Sequence, residues 1–448
     1  MIRFLIAVAR AALALLALAS PALAQSVSRP PNVLLILSDD QGAVDLGVWG
    51  CEDVATPHLD RLASEGVRFT QLYAGAPVCS PSRAALLTGR VPQRCGVPGN
   101  VGRGAPGLPA SEITLAEMLG GAGYATGLVG KWHLGHGGGR GPLDQGFQSF
   151  FGHKGGCIDN WSHFFYWSGP NVHDLWRDEE EVWEEGVHFG DLIVREARRF
   201  LADHREHPFF LFVPFNSPHY PLQGKRDWRE RYADLPSPRR HYAALVSTLD
   251  EQVGEILAAL DEFGLRRETL VVFLSDHGHS TEVRALSGGG HAGPYRGSKF
   301  SLLEGGIRVP AIARLPGVVP AGEVRGQVCA ALDLLPTIAE LCGVAPPARA
   351  LDGHSLAAVL SSADAPSPHG ELHWQFGDQW AVREGDWKLV VNGRDTDGSR
   401  LEGSWSTLLS DLSSDVSETR NLAREYTAQV ERLTALHLRW KHGLGEER

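Results

Sequence analysis

Four apolar runs, each ending in polar residues, constrain this chain more than any other feature. "NVLLILSDD" begins at Asn32 and ends at Asp39 and Asp40; "YATGLVGKWH" ends at Lys131 and His133; "PFFLFVPFNSPH" ends at His219; "TLVVFLSDHG" carries Asp276 and His277. An uninterrupted apolar strand is what a sheet covered on both faces requires. Helical patterns lie between the runs: "TPHLDRLASEGVRF" from Thr56, and an apolar stripe from Leu245 to Phe263 that Gly264 can cap. Strands alternating with helices predict an α/β fold with a mostly parallel central sheet flanked by helices. Ligands in such sheets bind beyond the carboxyl ends of the strands. Ser-Asp after a strand is also an ordinary turn pair. Its recurrence in "LILSDD" and "VFLSDH", with basic residues ending the other two runs, favours a shared site.

The ends of the chain read differently. Residues 1–24, within "MIRFLIAVARAALALLALASPALAQ", have the charged start, apolar stretch and Ala-Leu-Ala end of a signal peptide. A membrane anchor is the competing reading, disfavoured because Arg10 and Pro21 interrupt a short stretch. The mature chain is expected from Gln25, exported to a periplasm or secreted, with no stable membrane anchor. A domain boundary is expected at "SSADAPSPHG", residues 361–370. That gives a catalytic domain over 25–370 and a small α+β unit over 371–448, an antiparallel sheet with a helix from about Glu418 to Lys441. The net charge of −11 argues against nucleic acid as a partner. Six cysteines, at 51, 79, 95, 157, 329 and 342, form no disulfide framework and no C-x-x-C, with a Cys329–Cys342 pair left open.

"PVCSPSRAALLTGR", residues 77–90, raises the sharpest chemical question. Pro81 and Ser82 suit a helix start and Gly89 its stop, which puts Cys79 near a helix N-terminus with Arg83 one turn in. A nucleophilic thiol, a metal ligand and a disulfide half are all open readings of Cys79. If Asp39, Asp40 and Asp276 converge, they need a cation to share, and carboxylates select a hard one, calcium or magnesium. A thiolate is a soft ligand and mismatches that site. Arg83, Lys131, His133, His219 and Lys299 around a hard cation suit a tetrahedral oxyanion, sulfate or phosphate. Such a site calls for an oxygen nucleophile, yet the chain offers a cysteine.

"CSPSRAALLTG" resembles the signature of the type I sulfatases, and "GYATGLVGKWH" resembles their second signature. "NVLLILSDD", "NSPHYPL", "LSDHG" and "GSKFSLLEGGIRVP" match further family segments in order. The resemblance implies an alkaline-phosphatase-like fold and an arylsulfatase-like hydrolase acting on a sulfated small molecule or saccharide. It implies that a maturation enzyme oxidises Cys79 to formylglycine, whose hydrate supplies the oxygen nucleophile. It further implies Asp39, Asp40, Asp276 and His277 as metal ligands, with position 79 as another. By the same resemblance Arg83 would brace the hydrate, Lys131 and Lys299 would bind sulfate, His219 would stand at the bridging oxygen with Lys299, and His133 would act as base when sulfate is expelled. Calcium is the first expectation. Many members have asparagine where this chain has His277, which gives weight to magnesium or manganese. A phosphonate monoester or phosphodiester hydrolase of the same superfamily, and a non-catalytic sulfated-glycan binder, are the alternatives.

Four more residues are candidate substrate contacts: Asp159, Asn160 and His163 in "CIDNWSHFF", where polar groups alternate with aromatics as sugars require, and His291 near Lys299. Asn160-Trp161-Ser162 is also a formal glycosylation sequon. The acidic stretch 177–186 reads as a solvated insertion.

Overall fold

The four apolar runs are four adjacent strands. The computed structural model describes residues 29–166, 170–398 and 405–445. The first eight strands are β1 (Asn32–Ser38), β2 (Val67–Tyr73), β3 (Ala125–Lys131), β4 (Ser149–His153), β5 (Phe164–Phe165), β6 (Val172–His173), β7 (Trp176–Arg177) and β8 (Glu180–Glu181). Next come β9 (Phe209–Pro214), β10 (Thr269–Ser275), β11 (Arg308–Arg314), β12 (Glu323–Arg325) and β13 (Cys329–Ala330). The last four are β14 (Glu371–Phe376), β15 (Gln379–Glu384), β16 (Trp387–Val391) and β17 (Thr407–Asp411).

The main sheet runs β12-β2-β11-β10-β1-β9-β3-β4-β7-β8, with β13 also on β2. Its centre, β10-β1-β9-β3-β4, is parallel. Every residue of β1, β9 and β10 is buried, because alternate side chains enter two different cores. Val33, Leu35 and Leu37 meet Leu86, Leu335 and Ile338 on one face. Leu34 and Ile36 meet Ile193, Leu249 and Val253 on the other. Ser38 lies level with Ser275 in the register, so the residues after each leave the sheet side by side.

The helix carrying Cys79 covers Cys79–Thr88 and is buried along its whole length. It begins two residues before Pro81, from an extended Val78, and Gly89 caps it at φ 66°, a conformation glycine adopts freely. A first-turn proline is tolerated because N–H groups there lack helical partners. Helices Phe189–Asp203 and Arg239–Glu262 cover the opposite face of the sheet.

The C-terminal strands form the antiparallel sheet β14-β15-β16-β17, within one compact unit spanning Pro31–Arg448. The final helix covers Thr427–Gly443 and starts later than expected. Residues before it are held otherwise: Glu418 is buried at φ 52° and Leu422 packs with Val382, Leu389 and Leu433. The acidic stretch is in part ordered sheet edge, since β7 and β8 pair as a hairpin. All six cysteines are free thiols, so Cys329 and Cys342 are not joined. The expected signal peptide lies outside the described residues, among which no helix is long and apolar enough to cross a membrane.

Candidate active site

Adjacent strands deliver the carboxylates. Asp39 and Asp40 follow β1, and Asp276 and His277 follow β10. Asp40, at φ 63°, turns back so that its N–H donates to Asp276 Oδ1 at 3.2 Å. His277 Nε2 lies 3.3 Å from Asp40 Oδ1 and 3.5 Å from Asp276 Oδ1. Cys79 Sγ is 3.3 Å from His277 Nε2 and 3.7 Å from Asp39 Oδ1. Arg83, one turn into the helix, donates from Nε and Nη2 to Asp276 Oδ2 at 3.1 and 2.9 Å, and from Nη1 to the Lys131 carbonyl at 3.2 Å. Ser80 and Ser82 fix the helix start through their hydroxyls, donating to the carbonyls of His133 (2.8 Å) and Asp276 (2.6 Å).

Lysines and histidines ring this cluster. Lys131 Nζ is 2.6 Å from Asp39 Oδ2, at the end of β3. Lys299 Nζ is 3.0 Å from Asp40 Oδ2 and 3.4 Å from Glu282 Oε2. His219 Nδ1 donates to the Tyr220 carbonyl at 2.7 Å, which turns Nε2 to within 3.7 Å of Asp40 Oδ2. His133 is buried at φ 58°, and among the described residues its Nδ1 has no hydrogen-bond partner. Gly156 makes room for it: a Cβ there would stand 2.8 Å from His133 Nε2.

The electrostatics follow from burial and close charge. Burial would raise Asp39, but Lys131, His219 and Arg83 outweigh it and hold the carboxyl well below its usual range. Burial wins at Asp40 and lifts it to about 6 despite Lys299. His277 is lifted to about 9, since Asp276, Cys79 and Asp40 overcome its burial. His133 and His219 are pushed well down, by burial first and then by the neighbouring lysines.

The donor set fits a hard divalent cation. Ligand atoms of Asp39, Cys79, Asp276 and His277 lie within 4.8 Å of one another. Among the described residues Asp40 Oδ1 is buried and accepts no hydrogen bond, with His277 Nε2 alone at ion-pair distance, a condition a cation relieves. The sulfur at position 79 is the one soft donor among oxygens and an imidazole.

A cavity of about 400 Å³ opens over Cys79, His133, His219 and Lys299. Its outer wall includes Asn100, Arg103, His136, Asp174 and Phe300, none of them singled out by sequence, and Phe165, the last residue of "CIDNWSHFF". His136, three residues after His133, and Phe300, beside Lys299, were the available signals. The four candidate substrate contacts do not line this cavity. Asp159 accepts the N–H groups of Trp161 and Ser162 and the Gln223 amide, which makes it a loop brace. Asn160 is fully buried and bonded to Asn216 and the Pro221 carbonyl, so its sequon offers no accessible acceptor. His163 is buried with Nε2 on the Val187 carbonyl at 3.0 Å. His291 borders a separate surface hollow with Cys51 and Arg239.

Known proteins resemble this chain in sequence and fold. The Sulfatase family model matches residues 31–344. Arylsulfatase A of Homo sapiens is 36% identical over 437 residues, covering 89% of this chain and 84% of the relative. N-acetylgalactosamine-6-sulfatase of Sus scrofa is 39% identical over 354 residues, 73% of this chain and 65% of the relative. The crystal structure of Ps i-CgsB in complex with k-i-k-neocarrahexaose superposes with a TM-score of 0.82 at 30% identity, covering 92% of this chain and 93% of that one. The chain belongs to the sulfatase family, type I, of the alkaline-phosphatase superfamily, and its activity is sulfate ester hydrolysis.

Proposed function

We propose that this sulfatase is exported, acts on a sulfated carbohydrate, and uses an oxidised Cys79, as formylglycine hydrate, with a divalent cation held by Asp39, Asp40, Asp276 and His277. One observation carries the reading: position 79 opens a buried helix inside a cluster of carboxylates and lysines, where a thiol suits neither the hard-donor set nor a sulfate. The modified side chain supplies a hydroxyl nucleophile, and the cation, calcium first and magnesium or manganese next, supplies Lewis acidity toward the sulfate oxygens.

The chain's own residues do the rest. Lys131 and Lys299 balance the non-bridging oxygens, and the buried setting strengthens both contacts. His219 and Lys299 flank the bridging oxygen, where a sugar alcohol leaves only with a proton; the anionic ester counters the lysine charges that, after burial, otherwise hold His219 uncharged. His133, buried and uncharged, is the acceptor for the proton released at position 79 when sulfate departs. Arg83 keeps Asp276 and the helix start in register.

Two lines support a saccharide. Phe165 and Phe300 stand in the cavity wall beside polar groups, the mix a sugar ring requires. Two of the proteins named above carry a sugar in their names, N-acetylgalactosamine-6-sulfatase and the neocarrahexaose complex. Sulfate release from a panel of sulfated mono- and oligosaccharides, beside nitrophenyl sulfate, tests the assignment. Turnover of the aryl ester with none of the saccharides would remove the carbohydrate claim.

A further inference from the structure

Outside the catalytic cavity, one basic groove stands out on an acidic protein. It holds about 560 Å³ and its wall includes Trp161, Leu222, Gln223, Arg229, Arg240 and His241, with no carboxylate in the lining. Arg229 and Arg240 are exposed, and among the described residues neither has a carboxylate at ion-pair distance. Arg240 Nε donates to His241 Nε2 at 3.2 Å. Arg239 next door, by contrast, pairs with Asp45 and Asp53. Two free guanidinium forks in a chain of net charge −11 make a local anion site that the global field does not explain.

Trp161 gives the groove its second chemistry. The indole is 38% exposed, its ring stands edge-on to His188 at 5.1 Å, and Asp159 fixes its backbone. A rigidly held, half-exposed indole is a sugar-stacking surface. The same brace holds the opposite wall, because Gln223 donates to Asp159 Oδ2 at 2.7 Å and accepts from the Asn160 N–H at 2.9 Å.

The groove adjoins the active site through the chain itself. Leu222 follows His219 by three residues, a span of at most about 11 Å. Trp161 lies four residues from both Cys157 and Phe165, which line the catalytic cavity.

We infer that this groove is a second binding site for a sulfated polysaccharide, holding one sugar ring on Trp161 and an anionic substituent on Arg229 and Arg240, while a neighbouring unit of the same chain occupies the catalytic cavity. The inference rests on the carbohydrate reading given above. Arginine binds sulfate in a two-bond fork, and a repeating anionic chain presents such groups at regular intervals, whereas a small sulfate ester in the cavity reaches only one site.

The test separates binding from catalysis. Full-length Cys79→Ala protein is titrated with dextran sulfate, with uncharged dextran and with single-stranded DNA. Dextran sulfate should bind, uncharged dextran should not, and DNA should bind more weakly. Arg229→Ala/Arg240→Ala should weaken dextran sulfate binding by about tenfold or more, and Trp161→Ala should also weaken it. In the active background, the arginine double variant should hydrolyse nitrophenyl sulfate at the wild-type rate. Unchanged dextran sulfate affinity in the double variant would overturn the inference, as would DNA binding as tightly with the same loss. If wild type fails on every sulfated saccharide, the carbohydrate reading falls, and the titration still reports on the groove by itself.

Discussion

Lys388 holds two buried carboxylates apart from each other, and replacing it by methionine should destabilise the protein in a pH-dependent way. Its Nζ is 2.8 Å from Glu304 Oε1 and 3.0 Å from Glu418 Oε1, with all three side chains fully buried. Glu304 also accepts from the Tyr73 hydroxyl (2.6 Å) and Arg308 (3.1 Å), while Glu418 Oε2 accepts the Glu304 N–H at 2.6 Å. Removing one member of a buried ion cluster costs about 3–5 kcal/mol, because the remaining charge is uncompensated. With an unfolding entropy of about 2.1 cal/mol/K per residue over roughly 420 residues, that is a fall in Tm of about 3–6 °C. The sign of the pH effect follows from Glu418. Burial lifts it from 4.5 to about 7, so between those values the folded state holds a proton that the unfolded state has lost. Stability therefore falls as pH rises through that window. Without Lys388 the carboxyl rises further and the window extends upward, so Lys388→Met should lose more stability at pH 8 than at pH 6. Thermal unfolding at both values is the assay. Lys388→Met/Glu418→Gln should recover much of the loss, since Glu304 keeps Arg308. A Tm shift under 1 °C, or an equal shift at both pH values, would refute the reasoning.

Chelation should abolish sulfatase activity, and calcium, magnesium or manganese should restore it; activity that survives complete chelation, or that returns only with zinc or copper, contradicts the hard-cation site. His219→Ala should lose about 10² to 10⁴ in kcat/KM on a sulfated sugar and far less on nitrophenyl sulfate, whose alcohol leaves without a proton. Equal losses on both would leave His219 a binding residue. Lys131→Ala should weaken both substrates alike, because its contact is to oxygens that both esters share.

The parts of the fold visible in the sequence are those where burial is two-sided. The residues of β1, β9 and β10 alternate between two cores, which forces the unbroken apolar runs and marks the strand ends where Asp39, His219 and Asp276 emerge. Strand order was not visible, because β1 lies between β9 and β10, which come far later in the chain, and no local pattern encodes that pairing. The start of the last helix was misjudged because Glu418 looks like a surface helix former, yet its carboxyl is buried against Lys388. Polar and aromatic residues alternate over 157–165, the pattern of a sugar contact. Asp159, Asn160 and His163 instead satisfy backbone groups and fix the loop, and the exposed indole of Trp161 is what that scaffold presents. Arg103 and Asp174 reach the cavity from segments with no periodic signal, and only the folded chain brings them to it.

The central claim is that the nucleophile is made from Cys79, and the mass of that residue in working enzyme tests it most directly. Active protein would be digested, and the peptide containing residues 79–83 measured before and after treatment with a carbonyl-reactive hydrazide. The account predicts a peptide lighter than the cysteine form by the mass change of thiol-to-aldehyde conversion, reactive toward the hydrazide, in proportion to the specific activity of the preparation. Cys79→Ala should have the same Tm and no sulfate release. Fully active enzyme whose position 79 is entirely unmodified cysteine would contradict the account.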